Sequence, residues 1–327
     1  MLPPETAHTL TLSSLQKVYQ WKLSPWLFGK PVSVPRTVMG LHFPNPVGLA
    51  AGLDKNADYI DCLASLGFGF IEVGTVTPQP QGGHPKPRLF RLPQAEALIN
   101  RMGFNNLGVD HLVNQVKKRH FPGILGINIG KNASTPPELT VSDYLISFFK
   151  VYPYADYVTL NISSPNTEKL RQWQQGQYLT NLLSALKQAQ EQLHEQYRRY
   201  VPIAVKIAPD LTEEEIAVMV DKLLEYQLDG VIATNTTLSR ISVQHLRHGQ
   251  EAGGLSGAPL FPASTQIIKR LHELLQGRLP IIASGGIMSV QDAQKKLAAG
   301  ASLVQLYSGL IYRGPFLVRE IARSLSS

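Results

Sequence analysis

The chain has 327 residues, 43% of them hydrophobic, enough to bury a large core as one big domain or two. Its single cysteine, Cys62, excludes an internal disulfide framework. No run approaches the ~20 uninterrupted apolar residues of a membrane-crossing helix, and the start lacks a signal-peptide pattern. The net charge of +7 is diffuse. It suits anionic ligands or an anionic membrane surface, without the Lys/Arg blocks and interleaved aromatics that grip nucleic acid.

Residues 1–36 differ from the rest of the chain. After Thr9 and Thr11, the side chains Leu12, Leu15, Val18 and Tyr19 fall at helical spacing, with Lys17 and Lys22 near the opposite face. Pro25-Trp26-Leu27-Phe28-Gly29 and a Pro/Val linker from Pro31 to Pro35 come next. An amphipathic helix with an aromatic knot can be a plain core patch, a segment resting on a membrane, or the cover of a hydrophobic channel.

From about residue 45, apolar β-rich runs alternate with longer helical stretches. The runs are 47–51, 70–75, 124–129, 157–162, 203–207, 230–234, 279–283 and 303–307. Helix candidates lie between them at 58–66, 107–119, 143–151, 178–197, 213–226, 262–275 and 291–299, with 319–325 as the last. Cys62 sits in the first of these and reads as a buried structural thiol. Eight strand-helix units predict an α/β fold closed into a (β/α)8 TIM barrel. An open doubly wound sheet is the weaker alternative, because no GxGxxG turn follows the first strand.

Barrel enzymes keep their chemistry at the carboxyl ends of the strands. Those ends carry Ala51-Gly52-Leu53-Asp54-Lys55, Gly74-Thr75-Val76-Thr77 and Asn128-Ile129-Gly130-Lys131-Asn132. Then come Asn161-Ile162-Ser163-Ser164-Pro165-Asn166-Thr167, Lys206-Ile207-Ala208-Pro209-Asp210, Thr234-Asn235-Thr236-Thr237, Ser284-Gly285-Gly286-Ile287 and Tyr307-Ser308-Gly309. Amides, hydroxyls, glycines and lysines converge with few carboxylates, which predicts a flat, anionic, amide-bearing ligand. Gly285-Gly286 and Ser308-Gly309, with Gly254 and Gly257, offer backbone N–H groups at the usual barrel phosphate position. Lys206, between Val205 and Ile207, faces away from both; inside the barrel it needs a negative charge, whereas outside it could snorkel. Pro165 biases Ser164 toward an extended backbone and so gives its hydroxyl a direction, with Asn161 and Asn166 on either side. A turn that merely ends a strand is the plainer reading of the same residues.

These motifs, together with Gly48-Leu49-Ala50-Ala51-Gly52-Leu53-Asp54-Lys55, Ile99-Asn100-Arg101-Met102-Gly103-Phe104-Asn105-Asn106 and Ala283-Ser284-Gly285-Gly286-Ile287, resemble the flavin-dependent dihydroorotate dehydrogenases. The resemblance spans essentially the whole chain in one order. It is to the quinone-linked, membrane-associated class, since the cytosolic class has a cysteine base where Ser164 stands and lacks an extension like residues 1–36. It implies FMN held by Ala51, Gly52, Leu53, Asp54, Lys55, Thr75, Asn128, Asn161, Lys206, Thr234, Gly257, Gly286, Tyr307 and Ser308. Dihydroorotate would meet Lys55, Asn100, Arg101, Met102, Gly103, Phe104, Asn161, Asn166, Asn235 and Thr236. The quinone head group would meet His8 and Arg91, with Tyr307 on the path to the flavin. One departure is that the family usually carries a further short helix before the stretch matching Pro4-Glu5-Thr6-Ala7-His8, which implies a trimmed start or a smaller apolar cover.

The activity implied is oxidation of dihydroorotate to orotate in pyrimidine (UMP) biosynthesis, with Ser164 as the base and no metal. Residues 1–36 would form a membrane- and quinone-side extension and 37–327 the catalytic barrel, making a peripheral protein at the cytoplasmic face of the cell membrane that binds no nucleic acid. The rivals are a soluble-acceptor enzyme of the same family, a barrel aldolase or phosphate-sugar isomerase with Lys206 as a Schiff-base amine, and a barrel kept only as a binding or scaffold module.

Overall fold

The computed structural model describes residues 2–166, 170–174 and 176–325; Met1 and Thr167 of the segment after the fourth expected run lie outside them. In chain order the strands are β1 (Arg36–Val38), β2 (Leu41–Phe43), β3 (Val47–Leu49), β4 (Phe70–Val76), β5 (Leu89–Leu92), β6 (Ala97–Asn100), β7 (Ile124–Ile129), β8 (Tyr157–Asn161), β9 (Ile203–Ile207), β10 (Gly230–Ala233), β11 (Gly254–Gly257), β12 (Ile281–Ser284) and β13 (Leu303–Leu306). Of these, β3, β4, β7, β8, β9, β10, β12 and β13 pair in parallel in that order, and β13 returns to β3. The sheet closes, so the expected TIM barrel is present and the open sheet is not.

Each expected run contains a barrel strand, with differences at the ends that have local causes. The seventh begins at Ile281 and not at Leu279, because Pro280 has no N–H to donate to the ladder. The first stops at Leu49, where the chain leaves the ladder for the rim: Gly52 N–H donates to the Gly74 carbonyl at 2.7 Å. Helices fill the connections, and the last expected one runs Phe316–Ser324, preceded by a short helix, Ser308–Arg313, that the pattern did not suggest.

Alternation inside the strands stacks the barrel interior in layers. At the amino end, Phe70, Tyr157, Ile282 and Leu303 pack with Val38 and Phe43 of the β1–β2 hairpin, which plugs that end. Phe70 meets Phe43 edge-to-face at 5.1 Å. Gly48 and Gly126 make room for the large rings, since a Cβ at either would lie 2.2 Å from Phe70 or Tyr157. One layer higher the interior turns polar, with Glu72, Asn128, Lys206 and Gln305 all buried. Above them the barrel opens. There β11, β6 and β5 form an antiparallel sheet beside the mouth, contributed by the connections after β4 and β10.

Before the hairpin lie α1 (Pro4–Gln20) and α2 (Ser24–Phe28). α1 begins earlier than Thr9 because Pro4 suits a first helical turn, where its missing N–H has no partner to lose. Leu12 is buried in the main core, and Leu15, Tyr19 and Phe28 pack against it. Glu5 grips Arg88 through both carboxylate oxygens, at 2.9 and 3.1 Å. The opposite side leaves Leu10, Trp21, Leu23, Trp26 and Leu27 exposed, Trp26 to 90%. Among the described residues no helix is long and apolar enough to cross a membrane.

Candidate active site

A cleft of about 1010 Å³ opens at the carboxyl end of the barrel, where all eight strands release their loops. It gathers most of the residues singled out in the sequence. Ala51, Gly52, Lys55, Thr75, Asn161, Lys206, Thr234, Gly257, Gly286, Tyr307 and Ser308 line it, as do Asn100, Met102, Gly103, Phe104, Ser164, Asn166, Asn235 and Thr236. Residues more than 100 positions apart thus share one wall because parallel strands end at one level.

Lys206 lies inside the barrel, pairing in register with Ile232 and Asn161 on the neighbouring strands. The residue is buried and lines the cleft, and its ammonium has no hydrogen-bond or ion-pair partner among the described residues. Burial pulls it below the ordinary lysine range, and the Glu72 carboxylate opposes that pull. Gln305 Oε1 is a second orphan, a buried acceptor at the cleft wall without a partner among the described residues. Gly285 and Gly286 turn through positive φ, and a Cβ on Gly286 would lie 2.4 Å from Phe261 N. A buried free cation, a buried free acceptor and a bare backbone turn fit a flat heteroaromatic group that carries a phosphate, as a flavin nucleotide does.

The amides form two hydrogen-bonded groups beside that position. Asn161 Nδ2 donates to Thr75 Oγ1 (2.8 Å), Asn235 Nδ2 to Asn161 Oδ1 (3.1 Å), and Asn166 Nδ2 to Asn100 Oδ1 (3.2 Å). The Ser164 hydroxyl is buried and accepts the Asn166 backbone N–H at 3.2 Å. Among the described residues no carboxylate or imidazole touches it. Arg171 spans the same loops, donating to the Ser163 and Thr236 carbonyls and pairing with Asp210 at 2.8 Å.

A second cleft, of about 700 Å³, lies between α1 and the barrel rim. His8, Thr9 and Leu12 face Leu53, Tyr59 and Leu89 across it, and Lys55, Met102 and Tyr307 line both clefts. Burial pulls His8 down to about 4, helped by the Lys55 charge and opposed by Glu5, so the imidazole is neutral at pH 7. Burial pushes the Tyr307 phenol up to about 12, so it keeps its proton.

Five of the expected site residues stand elsewhere. Leu53 and Asp54 line the second cleft, and the Asp54 carboxylate accepts the Asp58 and Tyr59 N–H groups at 3.0 and 2.8 Å, shaping the turn that presents Lys55. Asn128 lies beneath the wall, behind Thr75. The Arg101 guanidinium turns outward to Glu251 (2.8 Å) over the Phe90 ring. Arg91 holds the Leu2 carbonyl at 2.8 Å, outside the second cleft. Conversely Ser256, Leu260 and Gln305 line the first cleft without having been singled out.

Fold and rim together define a (β/α)8-barrel enzyme with a site for a flat, anionic, amide-bearing ligand. The family model for dihydroorotate dehydrogenase matches residues 33–327, and the chain belongs to that family of flavin-dependent oxidoreductases. It is 59% identical over 330 residues to the dihydroorotate dehydrogenase (quinone) of Herminiimonas arsenicoxydans, covering 99% of this chain and 94% of that one. Identity to the protein of the same name from Azotobacter vinelandii is 58%, over 100% of this chain and 94% of the relative. The solved structure of the Eimeria tenella DHODH in complex with ferulenol superposes with a TM-score of 0.88 at 38% identity, over 98% of this chain and 90% of that one.

Lys55 is the rim cation whose charge varies near neutral pH. Burial, and then Arg88, pull its ammonium down to about 8, opposed by Glu5 and Asp54. Its Nζ donates to the Gly52 carbonyl at 2.8 Å and faces the cleft. A carboxylate ligand binds the protonated form, so above pH 8 binding must first take up a proton. Orotate affinity, measured by calorimetry across pH 6 to 10, is therefore level at the acid end and falls by up to about tenfold per pH unit once past 8. Lys55→Met removes that dependence.

Proposed function

We infer that the chain oxidises dihydroorotate to orotate, with FMN as the flavin and a membrane quinone as the final electron acceptor, in pyrimidine biosynthesis. The observation that carries this reading is that Ser164, four asparagines, Lys55 and the unpartnered Lys206 ammonium line one cleft. The quinone is supported by the second cleft under α1, with neutral His8 at one side and Tyr307 at the other. Residues 1–36 serve as the quinone-side extension and 37–327 as the catalytic barrel. The exposed Trp21, Leu23, Trp26 and Leu27 support a peripheral docking of that extension on the cytoplasmic face of the membrane.

Asn100, Asn161, Asn166 and Asn235 offer neutral donors and acceptors to the urea-like edge of the substrate ring, backed by Thr236 and the Met102-Gly103-Phe104 backbone. Lys55 meets the carboxylate. Ser164 Oγ takes a proton from the methylene carbon while its own hydroxyl proton passes on to solvent, and the Asn166 N–H that it accepts steadies that oxygen. A flavin held there would supply the two-electron acceptor for the hydride that leaves the adjacent carbon, with the quinone as the final acceptor. Lys206 stabilises the negative charge that builds beside it. Gly257, Gly286 and Ser308 would hold the phosphate end, and Tyr307, which lines both clefts, would stand between a bound flavin and the second cleft.

Two measurements test these roles separately. Ser164→Ala slows flavin reduction by dihydroorotate by a factor of about 100 to 10,000, the span for a lost general base, while FMN content and orotate binding persist. Reduction at the parent rate in stopped flow removes Ser164 from the mechanism. Trp21→Ala with Trp26→Ala leaves flavin reduction unchanged, since both rings are exposed, but lowers co-sedimentation with anionic vesicles and turnover with a long-tailed quinone. Unaltered vesicle binding and quinone turnover would place the membrane contact elsewhere.

A further inference from the structure

Below the cleft, the interior of the barrel is organised by a carboxylate that does not reach the wall. Glu72 on β4 is fully buried and accepts three hydrogen bonds, from Asn128 Nδ2 (2.8 Å), Tyr157 OH (2.8 Å) and Gln305 Nε2 (2.7 Å). A carboxylate oxygen only accepts, so each amide beside it has one orientation. Asn128 turns Nδ2 to Glu72, which leaves Oδ1 to accept the Thr75 hydroxyl at 2.6 Å. Thr75, having donated its proton, accepts from Asn161 Nδ2 at 2.8 Å. Asn161 is left with Oδ1 free to accept, and Asn235 Nδ2 donates to it at 3.1 Å. Gln305 likewise turns Nε2 down to Glu72 and presents Oε1 as the buried, unpartnered acceptor of the cleft.

The two ends of an amide have nearly the same shape, so packing alone does not decide between the directions of this chain. Reversing it would exchange donors for acceptors at Thr75, Asn161 and Asn235. Groups with one fixed role break the tie at both ends: Glu72, which only accepts, below Asn128, and the Thr236 backbone N–H, which only donates, at Asn235 Oδ1 (2.8 Å). We propose that Glu72 is a positioning residue of the reaction, setting through Asn128 and Thr75 which amide atoms of Asn161 face its neighbours and the pyrimidine, in concert with the Thr236 N–H that fixes Asn235, and through Gln305 an acceptor toward the flavin. The proposal rests on the dihydroorotate reading above. Glu72 and Lys206 share the buried polar layer of the barrel interior, so the negative charge of Glu72 would hold the flavin potential below the value that Lys206 alone would give.

Glu72→Gln keeps the shape, removes the charge and adds a donor. Orotate binding to the FMN-loaded variant, read by calorimetry, weakens about tenfold, within the span for a mispaired buried polar group. The flavin midpoint potential rises, because loss of a nearby negative charge favours the reduced form; a tenfold change in that equilibrium is about 30 mV for a two-electron couple. Tyr157→Phe strips one donor from the same carboxylate without touching the chain, and orotate affinity stays within about twofold of the parent. Asn128→Ala cuts the chain above Glu72. It weakens orotate binding as Glu72→Gln does, and the double variant is no weaker than either single one, because both act on one path. Should Glu72→Gln fail to fold, the contrast between Asn128→Ala and Tyr157→Phe carries the test. Parent-like orotate affinity and potential in Glu72→Gln overturn the proposal, and so does equal behaviour of Asn128→Ala and Tyr157→Phe. A parent holoenzyme that does not bind orotate overturns the functional reading instead.

Discussion

A barrel strand turns only every second side chain inward, so the interior has few positions and each must serve its own height. Here the lowest positions are aromatic and aliphatic, the middle ones polar, and the highest open to the cleft. Charges in the middle layer are costly to hold away from water. Glu72 meets that cost with three hydrogen bonds, whereas Lys206 meets it only in part, through the field of Glu72. An incompletely satisfied buried cation is tolerable where a ligand completes it. The rest of the site is arranged around that incompleteness, with neutral amides and hydroxyls in place of carboxylates that would neutralise Lys206 directly.

The barrel itself was legible because its strands are short apolar, β-rich runs, each followed by a helical stretch. The cleft was legible where chemistry clusters in the chain, as in Asn161 to Asn166 or Ser284 to Ile287. It was not legible where a residue's neighbour lies far away in sequence. Arg101 stands in the middle of a substrate motif, yet Glu251, 150 positions on, and the Phe90 ring draw its guanidinium outward. Gln305 looks like one polar residue within an apolar strand, and only Glu72, on a strand 233 positions away, makes it an oriented acceptor. The sheet of β5, β6 and β11 escaped for the same reason: Leu98 pairs with Ser256 although the four barrel strands β7 to β10 lie between them in the chain, and no local period records that.

The amino-terminal segment shows why the alternatives for an amphipathic helix need not exclude one another. Leu12 enters the main core, as a plain core patch would. His8, Thr9 and Leu12 roof the second cleft, as a channel cover would. Trp21 and Trp26 stand in water, which a globular surface seldom leaves to large aromatic rings without a use. One helix with its short successor presents a core face, a cleft face and an exposed aromatic face, because a helical turn of 3.6 residues divides the circumference among several directions.

The two clefts meet at Lys55, Met102 and Tyr307, and the character of that wall constrains how electrons cross it. Tyr307 keeps its proton and His8 stays neutral near pH 7, so the shared wall and the imidazole above it carry no full charge except Lys55. On the proposed chemistry the acidic substrate is drawn to the first cleft by Lys55 and Lys206, while an uncharged quinone head meets neutral His8 and Tyr307 in the second. A single shared opening would force orotate to leave before the acceptor could approach. Separate openings on a common wall remove that conflict, and they also leave Lys55 in reach of both sides. Its charge then links substrate arrival in the first cleft to the environment of His8 in the second.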